Sequence, residues 1–230
     1  MLDRRQLVEA TALAAATAAL AAGAASAQTP PAGPYQIKPL PFDPKSIRGL
    51  SEKILVSHHD NNYAGAVKRL NAISAQWAAL DVAKAPVFTI NGLKREELIA
   101  MNSMILHEVY FDSLGQGGNP VGALSEAIAR DFGSLERWRA EFSAIGKAEG
   151  GGSGWVLLTW STHDRRLVNQ WAADHTSNVA GGRPILALDM YEHSYHMDYG
   201  AGAGGYVDAF MAAINWDNAS KLFAQYSRQA

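Results

Sequence analysis

The chain has 230 residues, 48% of them hydrophobic, a formal net charge of -2 and no cysteine. That is ample apolar surface for one globular unit of moderate size or two small lobes, and the near-neutral charge gives no reason to expect nucleic-acid or membrane-surface binding. Without cysteine no disulfide or thiolate metal site can form, so any metal must be held by His, Asp or Glu, a donor set that favours iron, manganese or zinc.

Arg4-Arg5 precede an alanine-rich apolar run from Ala10 to Ala25, and Ala25-Ser26-Ala27 forms a small-residue cleavage site before Gln28. Residues 1–27 therefore read as an export signal. The paired arginines point to the twin-arginine route for folded proteins, and the run is too short and too mildly apolar for an anchor. The expected location after cleavage is periplasmic or secreted, with no membrane attachment. Residues 28–44 contain six prolines and read as an extended arm.

From Lys45 to about Leu80 the pattern turns helical, with Ile54, Leu55, Val67, Leu70, Ile73 and Trp77 on an apolar face. His58, Asn62 and Ala66 are spaced i, i+4, i+8 and share one stripe of such a helix, whereas His59 points away and Tyr63 lies off the stripe. A linker around Lys84 to Gly92 leads to a second helix, Lys94 to about Leu114, whose single imidazole is His107. Taken alone, a histidine on an apolar face is more often core than ligand. Two such helices form an antiparallel hairpin over 45–115, which could present both rings across a narrow gap.

Gly115 to Pro120 breaks the chain, and an α/β domain is expected over 120–230. Val121 to Ala148 reads as two helices divided at Gly133-Ser134. Three short strands follow, Trp155 to Trp160, Arg166 to Trp171 and Ile185 to Leu188, the first two joined as a hairpin through His163-Asp164. Tyr206 to Ile214 and Asn218 to Tyr226 close the chain as helices. The stretch Asp189-Met190-Tyr191-Glu192-His193 is dense in chemistry. If the chain turns helically there, Asp189 and His193 offer an oxygen and a nitrogen to one cation, although the spacing equally fits an aspartate capping a turn and a core histidine.

Asp189-Met190-Tyr191-Glu192-His193-Ser194-Tyr195 resembles the D-x-W-E-H-A-Y signature of the iron/manganese superoxide dismutase family. Leu40-Pro41-Phe42, Phe132-Gly133-Ser134, Gly152-Ser153-Gly154-Trp155 and Ile214-Asn215-Trp216-Asp217 are similar to further landmarks of that family, in the same order, from about Tyr35 to Phe223. The resemblance implies an α+β fold: an N-terminal two-helix antiparallel hairpin packed on a C-terminal α/β lobe with a three-stranded antiparallel sheet. It implies that His58, His107, Asp189 and His193 ligate one iron or manganese ion per subunit, that superoxide is converted to dioxygen and hydrogen peroxide, and that the chain forms a homodimer. His175 falls where the family carries an amide that bonds the solvent at the metal, and with Tyr191 and His196 it is implied to act beside the ion. Glu192 is implied to reach the partner subunit's His193.

The departures cluster at the family's substrate entrance. Ala66 stands where a tyrosine is usual, Asn62 where a histidine is usual and His196 where its partner tyrosine is usual. The entrance arginine falls at or next to the uncharged Gly202-Ala203. This pattern reads as a remodelled entrance in which His196, beside Asn62 across the dimer contact, either takes over part of the proton delivery or merely bonds Asn62 there. An exported metal-binding or interaction protein that keeps the fold with slow or lost turnover is the alternative.

Overall fold

In the computed structural model, residues 33–150 and 152–228 are described. The expected export signal and the first residues of the arm lie outside them. The described part of the arm has no regular secondary structure, and helix begins at Glu52, not at Lys45. The reason is local. Residues 44–50 are taken up by turns, and Ser51 caps the first helix, its Oγ accepting the Ile54 N–H at 3.2 Å.

The first long helix is not continuous. It consists of α1 (Glu52–Ser57), a π-helical turn (His58–Tyr63) and α2 (Ala64–Ala79). In the wider turn the Ala64 N–H bonds the His59 carbonyl five residues back. The extra residue per turn breaks the expected 58/62/66 stripe, so Tyr63 is buried while Asn62 is half-buried. Helix α3 (Val87–Asp112) starts earlier than its sequence pattern shows, because Pro86 at the N-cap has no N–H to lose and Val87 to Gly92 continue the helix. Its length lets it pack along α2 at one end and against the sheet at the other.

Helices α4 (Gly122–Phe132) and α5 (Leu135–Glu149) divide at Gly133-Ser134, as the sequence predicts. Gly133 has φ +91, which a side-chained residue resists, and Ser134 Oγ accepts the Arg137 N–H at 3.1 Å. Strands β1 (Trp155–Ser161), β2 (Arg166–Ala172) and β3 (Gly182–Asp189) form an antiparallel sheet in the order β2-β1-β3, with β1 buried throughout. Strand β3 starts three residues before the apolar run. It tolerates Pro184 because it lies at the sheet edge and the register slips between Leu158 and Thr159.

After a single 3-10 turn (Glu192–Ser194) come α6 (His196–Tyr199), α7 (Ala203–Ala212) and α8 (Trp216–Ser227). Helix α6 has no apolar pattern of its own and was not foreseeable. Part of the glycine-rich stretch 200–205 belongs to α7, which therefore begins before Tyr206. Two contacts tie the helical hairpin to the last part of the chain: Asn215 N–H bonds the Ser113 carbonyl at 2.6 Å, and Asp198 accepts both the N–H and the Oγ–H of Ser51 at 2.7 Å. One buried cluster runs from Ile47 and Leu55 through Phe111, Trp138 and the sheet to Phe223, so hairpin and sheet share a core. No helix among the described residues is long and apolar enough to cross a membrane.

Candidate metal centre

Four elements meet at one point. His58 opens the π-helical turn, His107 lies on α3, Asp189 ends β3 and His193 sits in the 3-10 turn. Helix α3 packs against β3, which carries His107 to Asp189. The last residue of β3 is fixed in turn by its own side chain. Asp189 Oδ1 accepts the Tyr191 N–H at 2.8 Å, and Ser194 Oγ lies 2.7 Å from both the Asp189 and the Tyr191 carbonyl oxygens, its one hydrogen shared between them. This local closure leaves Oδ2 facing inward.

Three imidazole Nε2 atoms surround that oxygen, His58 at 3.1 Å, His193 at 3.3 Å and His107 at 3.6 Å. The ligand atoms of the four residues all lie within 4.8 Å of one another. Asp189, His58 and His107 are buried, and the His193 side chain is 27% exposed. His107 Nδ1 donates to the Ser103 carbonyl one turn back at 2.6 Å, which fixes its tautomer with a bare lone pair on Nε2. Yet Nε2 of His107 and of His193 are buried without a hydrogen-bond partner. Two partnerless ring nitrogens and a buried carboxylate around one point are an unstable arrangement unless a cation completes it.

The electrostatics agree. Burial, with His58 adding, pushes the His107 imidazole down to about 3, and burial likewise lowers His58, so both rings are neutral and free to ligate at pH 7. Burial works to raise the Asp189 carboxyl, but the His193 and His58 imidazoles more than offset this and hold it below the usual carboxylate range. Three imidazole nitrogens and one carboxylate oxygen suit a first-row metal of borderline hardness, iron or manganese among them.

The family profile described as "Iron/manganese superoxide dismutases, C-terminal domain" matches residues 120–222. A protein named "Superoxide dismutase [Fe]" from Cupriavidus metallidurans is 70% identical over 190 residues, covering 83% of this chain and 96% of that protein. The chain belongs to the iron/manganese superoxide dismutase family. More distant members include "Superoxide dismutase [Mn] 1" from Halobacterium salinarum, 37% identical over 83% of this chain and 96% of its own length, and "Superoxide dismutase [Fe]" from Aquifex aeolicus, 32% identical over 83% and 92%.

The other residues singled out from the sequence divide into two groups in this dismutase. His175 and Tyr191 lie beside the cage. Their rings stack at 4.7 Å, His175 is 6.1 Å from the His107 ring and Tyr191 is 5.4 Å from that of His193. Glu192 and His196 are exposed on the surface next to His193, and Asn62 is half-buried on the π turn. Sequence reasoning missed two neighbours, Trp155 and Ser103, and left Tyr63 off the stripe. Trp155 stands edge-on to His107 at 5.3 Å and donates its indole N–H to His175 Nδ1 at 3.0 Å. Ser103 orients His107, and its place four residues earlier on a helix could have revealed it. Tyr63 reaches the His107 ring, centroids 6.5 Å apart, only because of the π turn, which no periodicity announces.

Proposed function

We propose that this chain is a superoxide dismutase, converting superoxide to dioxygen and hydrogen peroxide at one iron or manganese ion per subunit held by His58, His107, Asp189 and His193. The observation that carries the reading is the ring of three Nε2 atoms around Asp189 Oδ2, two of them buried and partnerless. When bound, the ion supplies the one-electron chemistry, accepting an electron from one superoxide and returning it to the next.

The chain's own residues hold the protons. An indole N–H can only donate, so His175 Nδ1 accepts from Trp155 and the neutral ring carries its hydrogen on Nε2. Burial lowers the His175 pKa, which keeps the ring neutral at pH 7. It thus offers an N–H donor beside the cage, as an amide would. Tyr191, stacked between His175 and His193, is pushed up to about 12 by burial and then by Asp189, so it keeps its phenolic hydrogen across the physiological range and shields the cage. Ala66 can deliver no proton, and we assign part of that task to His196.

The reading includes a homodimer. Glu192, His196 and Met197 are exposed beside the one ligand that solvent reaches, which supports a contact there, with Glu192 bonding the partner subunit's His193 and His196 meeting the partner's Asn62. Export to the periplasm or beyond is supported by Arg4-Arg5 and Ala25-Ser26-Ala27. A metal-binding protein without turnover is not favoured, since the donor set is complete and a 70% identical relative bears the dismutase name. Metal analysis of the purified protein, followed by superoxide decay measured against metal content, tests the function. Decay should scale with bound iron or manganese; a fully loaded protein that leaves superoxide to its spontaneous decay would sink the reading.

A further inference from the structure

Each of the first two metal-site histidines is followed directly by a residue that grips the arm. His59 Nε2 donates to the Lys38 carbonyl at 2.8 Å. Tyr63, at the far end of the same π turn, accepts the Lys38 N–H at 3.0 Å and donates its own O–H to Glu108 Oε1 at 3.0 Å. Glu108 follows His107, and its second oxygen takes the Lys38 ammonium. Both main-chain groups and the side chain of one arm residue are thereby tied to the neighbours of His58 and His107. Tyr63 is the hub. It is buried to 1% exposure, and its ring packs on His107. Three residues up the arm, Asn71 grips Tyr35 in the same manner, accepting its N–H at 3.1 Å and donating to its carbonyl at 2.9 Å, so the arm is seated along the hairpin and not merely touching it.

We infer that Tyr63, Glu108 and Lys38 form a clasp through which the arm fixes the separation of His58 and His107, and that this clasp sets how tightly the site retains its metal. The inference rests on the reading of the four residues as metal ligands. Tyr63 is a positioning residue: its hydroxyl is engaged by Lys38 and Glu108, and it acts on the ion only through the helix turns that carry the two imidazoles. Residues that orient ligands typically change metal affinity by about 10-fold to 100-fold when altered. The chemistry also accounts for a tyrosine at a position off the helical stripe, because the π turn presents it to α3 and the arm together.

The test uses the full-length metal-loaded protein, challenged with a strong chelator, with the rate of metal release and the electron paramagnetic resonance spectrum of the ferric form as readouts. Tyr63→Phe keeps the ring and removes the hub; Glu108→Gln, at a partly exposed position, carries the test should the first variant fold poorly. Each is expected to speed release about tenfold and to change the rhombicity of the ferric signal. Arg69→Ala removes an ion pair to Glu96 between the same two helices and should leave both readouts at the parent values. Unchanged release and spectrum in both clasp variants would overturn the inference, and so would equal acceleration in Arg69→Ala, since loosening the hairpin anywhere would then suffice. A parent protein that takes up no metal would overturn the reading of the site, and the clasp with it.

Discussion

At the scale of single residues, the centre is built from groups that are costly to bury unless they are used. His107 is the sharpest case, with Nδ1 committed to Ser103 and Nε2 buried and empty-handed. His107→Ala should lower bound metal per subunit by about tenfold or more and abolish superoxide decay, because three remaining donors hold an ion weakly. Elemental analysis after dialysis checks it, and full occupancy would refute the ligand assignment. Glu149 is a second costly group. Both carboxylate oxygens are buried without a good hydrogen bond, and Gly154 leaves the room they need, a Cβ there falling 1.7 Å from Oε1. Burial raises the carboxyl to about 8, the Trp155 N–H pulls weakly the other way and Asp189 adds to the rise. Between the ordinary carboxylate range and pH 8 the folded chain keeps a proton that the unfolded chain has released, so this group's contribution to stability falls as pH rises through that window. Glu149→Gln never ionises. The metal-free variant should match its parent near pH 4 and exceed it by about 1 kcal/mol at pH 8.5, much less than the full shift would give because the residue as a whole is only partly buried and nearby solvent screens its charge. Urea midpoints at the two pH values decide; a gap independent of pH would show that the charge is not its cause.

At the scale of elements, caps and interruptions decide where the ligands stand. Ser51 both caps α1 and donates to Asp198, binding the start of the helix that leads to His58 to the short helix that follows His193. Ser51→Ala should cost about 1 to 2 kcal/mol, the loss of a cap plus a hydrogen bond to a carboxylate. A thermal midpoint indistinguishable from the parent's would count against that coupling. The π turn is the other decisive element. A plain α-helix through His58–Tyr63 would place Asn62, not Tyr63, one turn beyond His58, and the tyrosine hydroxyl would miss Glu108 and the arm.

For the whole molecule, the shared core explains why ligands from both ends of the sequence hold one geometry. One surface still exposes a ligand. In the proposed homodimer, Glu192→Ala should shift the protein from dimer to monomer at micromolar concentration and lower its metal content together. Light scattering with metal analysis checks both, and a variant that stays dimeric and fully loaded would reduce Glu192 to a solvated surface carboxylate. His196→Phe should slow turnover while metal stays bound; an undiminished rate would leave proton delivery to solvent alone.

By itself the amino-acid sequence determined most of the scaffold, while the four residues of the centre were legible only through the family signature that they share. Short apolar runs between turn residues marked the three strands, Gly133-Ser134 marked a helix boundary, and the spacing of Asp189 and His193 allowed two donors to one cation without deciding it against a turn cap and a core histidine. These are short-range properties, written in neighbouring side chains. The tertiary structure alone decided that three Nε2 atoms converge on one oxygen of Asp189, because that depends on α3 packing against β3 over long sequence separations. It also decided the role of Tyr63 and the burial of Glu149. Neither follows from propensity: a π turn is set by what packs around it, and the Glu149 carboxylate is buried by the way the loop through Gly154 folds back on it and by Asp189, forty residues on.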